Sequence, residues 1–176
     1  MSRKVKLVPH DPRWVQQYEE EAERLTAVFQ PILVGIHHIG STSIPGIKAK
    51  PIIDMMIVVT SITAVDTLIE PMADLGYISK GENGIAGRHY FRKGSDEHHT
   101  HHIHTYPENH PEIARHLNFR DYLRHHPTDA AAYSDLKERL AQRHEHDVET
   151  YTNSKTTFIR NVENKARLWQ KMQVAP

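Results

Sequence analysis

Residues 51–59, Pro51-Ile52-Ile53-Asp54-Met55-Met56-Ile57-Val58-Val59, form an apolar run broken by a single carboxylate. A strand with one wet face alternates; a continuous run of this length predicts a strand covered on both faces. That requires a sheet with packed layers above and below. Asp54 lies inside the run. A carboxylate removed from water is costly unless it is paired, hydrogen-bonded or bound to a cation. Whatever the chain folds into must bring partners to residue 54.

The segment before it supplies a second constraint. Leu33-Val34-Gly35-Ile36-His37-His38-Ile39 is short and rich in β-branched residues, and predicts a strand. It runs into Gly40-Ser41-Thr42-Ser43-Ile44-Pro45-Gly46-Ile47, a loop of small and turn-forming residues. A Gly-Ser turn after a strand exposes backbone N–H groups and hydroxyls, which suit phosphate oxygens. Asp54 follows Ser43 by eleven residues, so phosphate donors and a carboxylate that can hold a metal fall close together.

The remaining pattern is α+β. Asp11 and Pro12 predict a helix start, with an apolar stripe at Trp14, Tyr18, Ala22, Leu25 and Phe29. Most of Glu19, Glu20, Glu21 and Glu23 are expected on its solvated face, and Pro31 ends it. Residues 61–75 predict a helix split at Pro71 and stopped by Gly76. Segments 77–79, 88–92 and 100–106 predict an antiparallel meander with glycine-rich turns. Asn109 and Glu112 have capping-box spacing. Pro127 opens a second helix with a stripe at Tyr133, Leu136 and Leu140, and a last helix is expected over 148–172. The reading is one domain over 1–176, with a sheet core at about 32–106 and a helical part at about 109–174.

Composition removes several function classes. There is no cysteine, which excludes disulfides, thiolate zinc sites and cysteine nucleophiles. Lys+Arg and Asp+Glu both total 22, which argues against general nucleic-acid binding. No apolar run approaches the roughly 18 residues of a membrane span, so no membrane association is expected. The basic start Met1-Ser2-Arg3-Lys4 has no apolar stretch behind it; the expectation is no signal peptide and a cytoplasmic protein. The outlier is histidine: ten of the 15 fall between His89 and His126.

Gly40-Ser41 followed by Asp54 on the next strand resembles the nucleotidyltransferase superfamily. The resemblance is closer to the GrpB family, also called UPF0157. It is carried by Val8-Pro9-His10-Asp11-Pro12-Arg13-Trp14, by His38-Ile39-Gly40-Ser41-Thr42-Ser43-Ile44-Pro45-Gly46 and by Lys50-Pro51-Ile52-Ile53-Asp54. It continues through Leu75-Gly76-Tyr77, Arg88-His89-Tyr90-Phe91, His102-Ile103-His104, Phe119-Arg120-Asp121-Tyr122-Leu123 and Tyr133-Ser134-Asp135-Leu136-Lys137. The resemblance implies a nucleotidyltransferase-like mixed β-sheet flanked by an N-terminal helix and C-terminal helices. It also implies a nucleoside triphosphate as substrate, with a divalent metal, Mg²⁺ or Mn²⁺, for nucleotidyl transfer to an unknown acceptor.

One position departs from the superfamily pattern of Asp-x-Asp. Residues two apart on a strand share a face, so the second acid belongs at position 56, which is Met56. His102 and His104 are also two apart. With Asp54 they would make a two-histidine, one-carboxylate set, which favours Zn²⁺, Mn²⁺ or Fe²⁺ over Mg²⁺. The candidate catalytic residues are therefore Asp54 and His104, and the candidate metal ligands Asp54, His102 and His104. Phosphate contacts are expected from Gly40, Ser41, Thr42, Ser43, Lys50, Arg88 and Arg120. Arg92, Arg124, Lys137 and Lys155 could extend a cationic surface, and His38 could position the Gly-Ser turn. Two other readings stay open. One is a non-catalytic module binding a nucleotide or coenzyme A, since GrpB-like domains occur fused to dephospho-coenzyme A kinase. The other is a His/Asp metal-binding hydrolase. A homodimer is also left open.

Overall fold

The computed structural model describes residues 4–174; the basic start Met1-Ser2-Arg3 lies outside the described residues. Helix α1 spans Arg13–Phe29. The Asp11 carboxylate accepts the Arg13 backbone N–H at 2.9 Å, supplying the expected helix-entry bond. Strand β1 is Leu33–Ile39 and β2 is Ile53–Val59, with a short 3₁₀ turn at Ser41–Ser43 between them. A 3₁₀ segment Thr63–Leu68 leads into α2, Ile69–Asp74. The break in this region falls before Pro71, which sits in the first turn of α2, where its missing N–H has no partner to lose.

Strands β3 (Tyr77–Ser79), β4 (His89–Gly94) and β5 (His99–Pro107) form the expected antiparallel meander. The five-stranded sheet has the order β1-β2-β5-β4-β3. It is mixed, because β2 pairs antiparallel with β1 and parallel with β5. Four helices follow: α3 (Pro111–His125), α4 (Pro127–Arg143), α5 (Val148–Ser154) and α6 (Thr156–Val174). The last two replace the single helix expected over 148–172. The capping box at Asn109 does not form either. Asn109 takes a left-handed backbone, and the His110 side chain caps α3 by accepting the Glu112 N–H.

The alternation of β2 and β5 divides the sheet into two unlike faces. Ile53, Met55, Ile57 and Val59 join Ile103, Phe91 and the α1 residues Trp14, Leu25 and Phe29 in an apolar core. Glu21 of α1 is buried in this layer rather than solvated. On the other face lie Asp54 and Met56, with His102 beside the first and His104 beside the second in the parallel register. Ile44 and Ile47, just past the Gly-Ser turn, pack with Tyr122, Leu123, Tyr133 and Val162. That contact seats the C-terminal helices beside the turn. Among the described residues no helix is long and apolar enough to cross a membrane.

Candidate functional site

The Gly-Ser turn is built around one glycine that tolerates no substitute. Gly40 has φ +75°, in the region that favours glycine. A Cβ there would stand 2.8 Å from Asp54 Oδ2, so the turn approaches the carboxylate only because the side chain is missing. The Ser43 hydroxyl donates to the Gly40 carbonyl at 2.5 Å, and the Ser43 N–H bonds to the same oxygen at 3.2 Å. Thr42 Oγ1 shares a hydrogen bond of 2.9 Å with His38 Nε2. Burial holds the His38 imidazole neutral, lowering its pKa to about 4. From outside the turn, Arg120 Nη1 donates to the His38 carbonyl at 3.1 Å and Arg124 Nε to the Ser43 carbonyl at 2.9 Å. These two arginines clamp the turn's two ends.

Asp54 is the convergence point of a histidine cluster. Its Oδ1 lies 3.4 Å from His104 Nε2 and 3.5 Å from His102 Nδ1. Burial works against the charged carboxylate, but hydrogen bonds from His102 and His104 outweigh it and hold the carboxyl well below the usual carboxylate range. Arg88 Nη1 lies 3.2 Å from His104 Nδ1. A guanidinium can only donate, so His104 Nδ1 accepts and its ring proton sits on Nε2, facing Asp54. The rest of the Arg88 fork donates to the Glu82 carbonyl at 3.2 Å and the Asn83 carbonyl at 2.8 Å. Behind His102, Nε2 meets His99 Nδ1 at 3.0 Å.

A cavity of about 190 Å³ opens over this cluster. One wall is Gly40, Ser41, Thr42, Ile52, Asp54 and His102; the other is Lys50, Tyr133, Lys137, Tyr151 and Lys155. Arg88, Arg120, Ser43 and His104 are not among the lining residues. Lys137, on α4, is 2% exposed, and its Nζ donates to the Lys48 carbonyl. Burial and then the charges of Lys155 and Lys50 push its pKa far below the ordinary lysine range. Lys155 stands between α5 and α6, its Nζ 4.6 Å above the Tyr151 ring. Burial and the charge of Lys50 bring it down to about 8. The Tyr151 hydroxyl is buried with no hydrogen-bond partner among the described residues.

Spacing along the chain offers no sign of Tyr133, Tyr151 or Ile52 in the cavity lining, and Lys137 and Lys155 carry only the signal of a cationic surface. The helices that place four of these residues lie some 80 to 115 positions beyond the turn; the packing of Ile44 and Ile47 against α3, α4 and α6, with the bonds of Lys48 to Ser134 and Glu138, brings them there.

The sequence model of the GrpB protein family matches residues 4–165. The chain belongs to the GrpB family. The UPF0157 protein YqkA of Bacillus subtilis is 50% identical over 169 residues, 96% of this chain and 49% of YqkA. This chain therefore spans about half the length of YqkA. A dephospho-CoA kinase of Mycolicibacterium paratuberculosis is 28% identical over 94% of this chain and 46% of its own. The crystal structure of the conserved protein GrpB from Enterococcus faecalis superposes with a TM-score of 0.89 at 42% identity, covering 93% of this chain and 99% of that one. The Cid1 poly(U) polymerase bound to Mg and 3′-dATP matches with a TM-score of 0.54 at 16% identity, over 80% of this chain and 43% of Cid1. That likeness shows the nucleotidyltransferase-like fold.

The residues of this GrpB-family site do not fit the metal sites expected from the sequence. Two-metal phosphoryl transfer needs several carboxylates around two cations. Met56, in the second position, is fully buried in an apolar cluster with Ile39 and Tyr106. Nor do Asp54, His102 and His104 form a ligand set. The two imidazoles point at the same carboxylate oxygen, and the His104 nitrogen that faces it already carries a proton. Among the described residues no three His, Asp or Glu side chains are placed to share a metal ion. The structure brings the three residues together as a hydrogen-bonded cluster.

Proposed function

We propose that this cavity binds a nucleotide through its phosphates, with a nucleoside triphosphate as the leading ligand. The observation that supports it is the pairing of two walls: a glycine-hinged turn offering the Gly40 and Ser41 backbone and the Ser41 hydroxyl, and three lysines facing it. Backbone N–H groups at such a turn and flexible ammonium groups are the two ordinary means of holding phosphate. Thr42 and Ser43 use their hydroxyls within the turn itself, and Arg120 braces it. Asp54, kept ionised, holds the His102 and His104 N–H groups in place beneath the ligand. Arg88 fixes the His104 tautomer.

The activity in this reading is nucleotide binding on a nucleotidyltransferase-like fold, with transfer to an acceptor as the second reading. An ionised carboxylate at the cavity floor favours that second reading, because Asp54 could receive the proton of an acceptor hydroxyl as its oxygen attacks the α-phosphorus and pyrophosphate leaves. Coenzyme A is the rival ligand, supported by the dephospho-CoA kinase relative.

The test is a thermal-shift series with ATP, CTP, GTP, UTP and coenzyme A on wild type and Lys155→Met. A ligand at 100 times its Kd adds about 2.7 kcal/mol if it binds only the folded state. One of the five should stabilise wild type and stabilise Lys155→Met less. No shift with any of them would overturn the proposal.

A further inference from the structure

We infer that the cavity takes the phosphate chain of its ligand together with protons, in place of a divalent cation, and that Lys137 and Lys155 are the groups that receive them. The inference rests on the nucleotide-binding reading above and says how that site neutralises its ligand.

Three observations carry it. First, the side that should gather acids holds only Asp54, whose Oδ1 is taken by two imidazoles and whose Oδ2 abuts Gly40. The place for a second acid is filled by Met56, sealed among apolar side chains. Second, the opposite wall holds three lysines in a confined space. Lys137 donates to a backbone carbonyl and lies 4.7 Å over the Tyr133 ring, and the charged groups that face it are Lys155 and Lys50. Lys155 faces Lys50 and Asp54. Like charges crowded in a half-dry cavity repel, so an empty site favours losing protons from this group. Third, about 190 Å³ is smaller than the roughly 300–1,000 Å³ that encloses a whole small-molecule ligand. The enclosed part fits a phosphate chain, with the nucleoside outside.

A phosphate chain entering between the walls reverses the balance. Each added negative charge favours the ammonium form, so the lysines regain protons as the ligand binds. The remaining ionisable groups that face them do not compete for this role. Tyr133 is pushed up to about 12 by burial and stays neutral. Tyr151 is raised further, again by burial. His102 has one nitrogen on Asp54 and the other on His99. The sign is fixed: a lysine whose pKa is low when the site is empty and higher when it is filled makes affinity fall as pH rises between the two values. Lys137 is lowered in the same direction, by burial and then by the charges of Lys155 and Lys50. Lys155 joins above about pH 8.

The experiment is calorimetry with inorganic tripolyphosphate, ATP, coenzyme A and adenosine. Each is titrated with chelator or with Mg²⁺, in two buffers of different ionisation enthalpy, at pH 7, 8 and 9. Tripolyphosphate and ATP should bind with chelator present, and adenosine should not. The heat should differ between buffers by an amount that reports proton uptake. Affinity should fall about tenfold per pH unit for each proton taken up. Lys155→Met should flatten the fall between pH 8 and 9. Lys137→Met should lower the number of protons taken up, and Lys155→Met keeps the test open if the buried substitution prevents folding. Binding of ATP or coenzyme A only with Mg²⁺, or with heat independent of buffer, would overturn the inference and leave nucleotide binding standing. Binding of no ligand in any arm would overturn both.

Discussion

Glu21 on one face of the sheet and Asp54 on the other are carboxylates held in different ways. Glu21, on the α1 face, is 2% exposed and saturated. It accepts the Tyr77 hydroxyl at 2.8 Å and Lys93 Nζ at 3.0 Å on one oxygen, and Arg24 Nη1 at 3.0 Å on the other. Burial raises its pKa, but these donors more than offset that and leave it lowered. Asp54, on the helical face, is 30% exposed into the cavity and held by two longer imidazole contacts of 3.4 and 3.5 Å. A carboxylate with short bonds on both oxygens has nothing left to offer a ligand. One with long bonds on a single oxygen, lining a cavity, meets whatever enters it. The difference separates a polar group that closes a core from one that belongs to a site.

The largest effect should come from forcing the missing acid back into the site face. Met56→Asp would place a second carboxylate two residues from Asp54, within the cluster of Ile39, Tyr106, Ile113 and Leu117. His104, its neighbour across the strand pair, is already committed to Arg88 and Asp54. An unpaired buried charge of this kind should cost about 3 kcal/mol or more, read from urea unfolding. A variant as stable as wild type that also binds Mn²⁺ would show the face to be a metal site short of one ligand, and the contrast between the two carboxylates would fail.

Next in size is the carboxylate of the other face. Glu21→Gln keeps the shape and removes the charge, weakening bonds to Tyr77, Lys93 and Arg24. Charge-assisted bonds contribute about 1.5–3 kcal/mol each, and the amide retains part of that, so a loss of about 2 kcal/mol is expected. Ligand affinity should not change. If Glu21→Gln altered nucleotide binding while unfolding at the wild-type midpoint, Glu21 would not be the structural partner of the pair.

The sequence carried the sheet and the floor of the site well. The apolar run at 52–59, broken by Asp54 alone, placed β2 between two neighbours, and the His102/His104 spacing put both rings on the Asp54 face. These are local consequences of strand alternation. Glu21 was misjudged for the same reason that made the rest readable. Its neighbours Glu19, Glu20 and Glu23 mark a solvated face, and only Tyr77 and Lys93, 56 and 72 residues away, offset the cost of burying it. The lysine wall was half visible. Lys137 and Lys155 stood out as cations, but their enclosure depends on how α4, α5 and α6 meet the turn. Residue type and strand face are legible in a sequence; the placement of the ring protons in the Asp54, His102 and His104 cluster is not. That was decided by Arg88, 16 residues before His104.

The smallest effect, and the one that bears most directly on the comparison, is Asp54→Asn followed across pH. The Asp54 carboxyl is lowered in the folded protein, so its ionised form contributes stability above the unfolded value of about 3.9. That contribution is lost as pH falls through this value and towards the lower folded one. The amide of the variant has no charge to lose. Wild type should therefore unfold at a higher urea concentration than Asp54→Asn at pH 7, by less than separates it from Glu21→Gln, because the Asp54 bonds are longer. The gap should narrow from about pH 5 to about pH 3, other acidic groups being common to both proteins. A gap of equal size at neutral and at acid pH would mean that the imidazoles do not sustain the charge. The same variant reads the site: with lysines neutralising the phosphates, removing the one opposing carboxylate should tighten tripolyphosphate binding in chelator, whereas a carboxylate that acts through a bound cation should weaken it when lost.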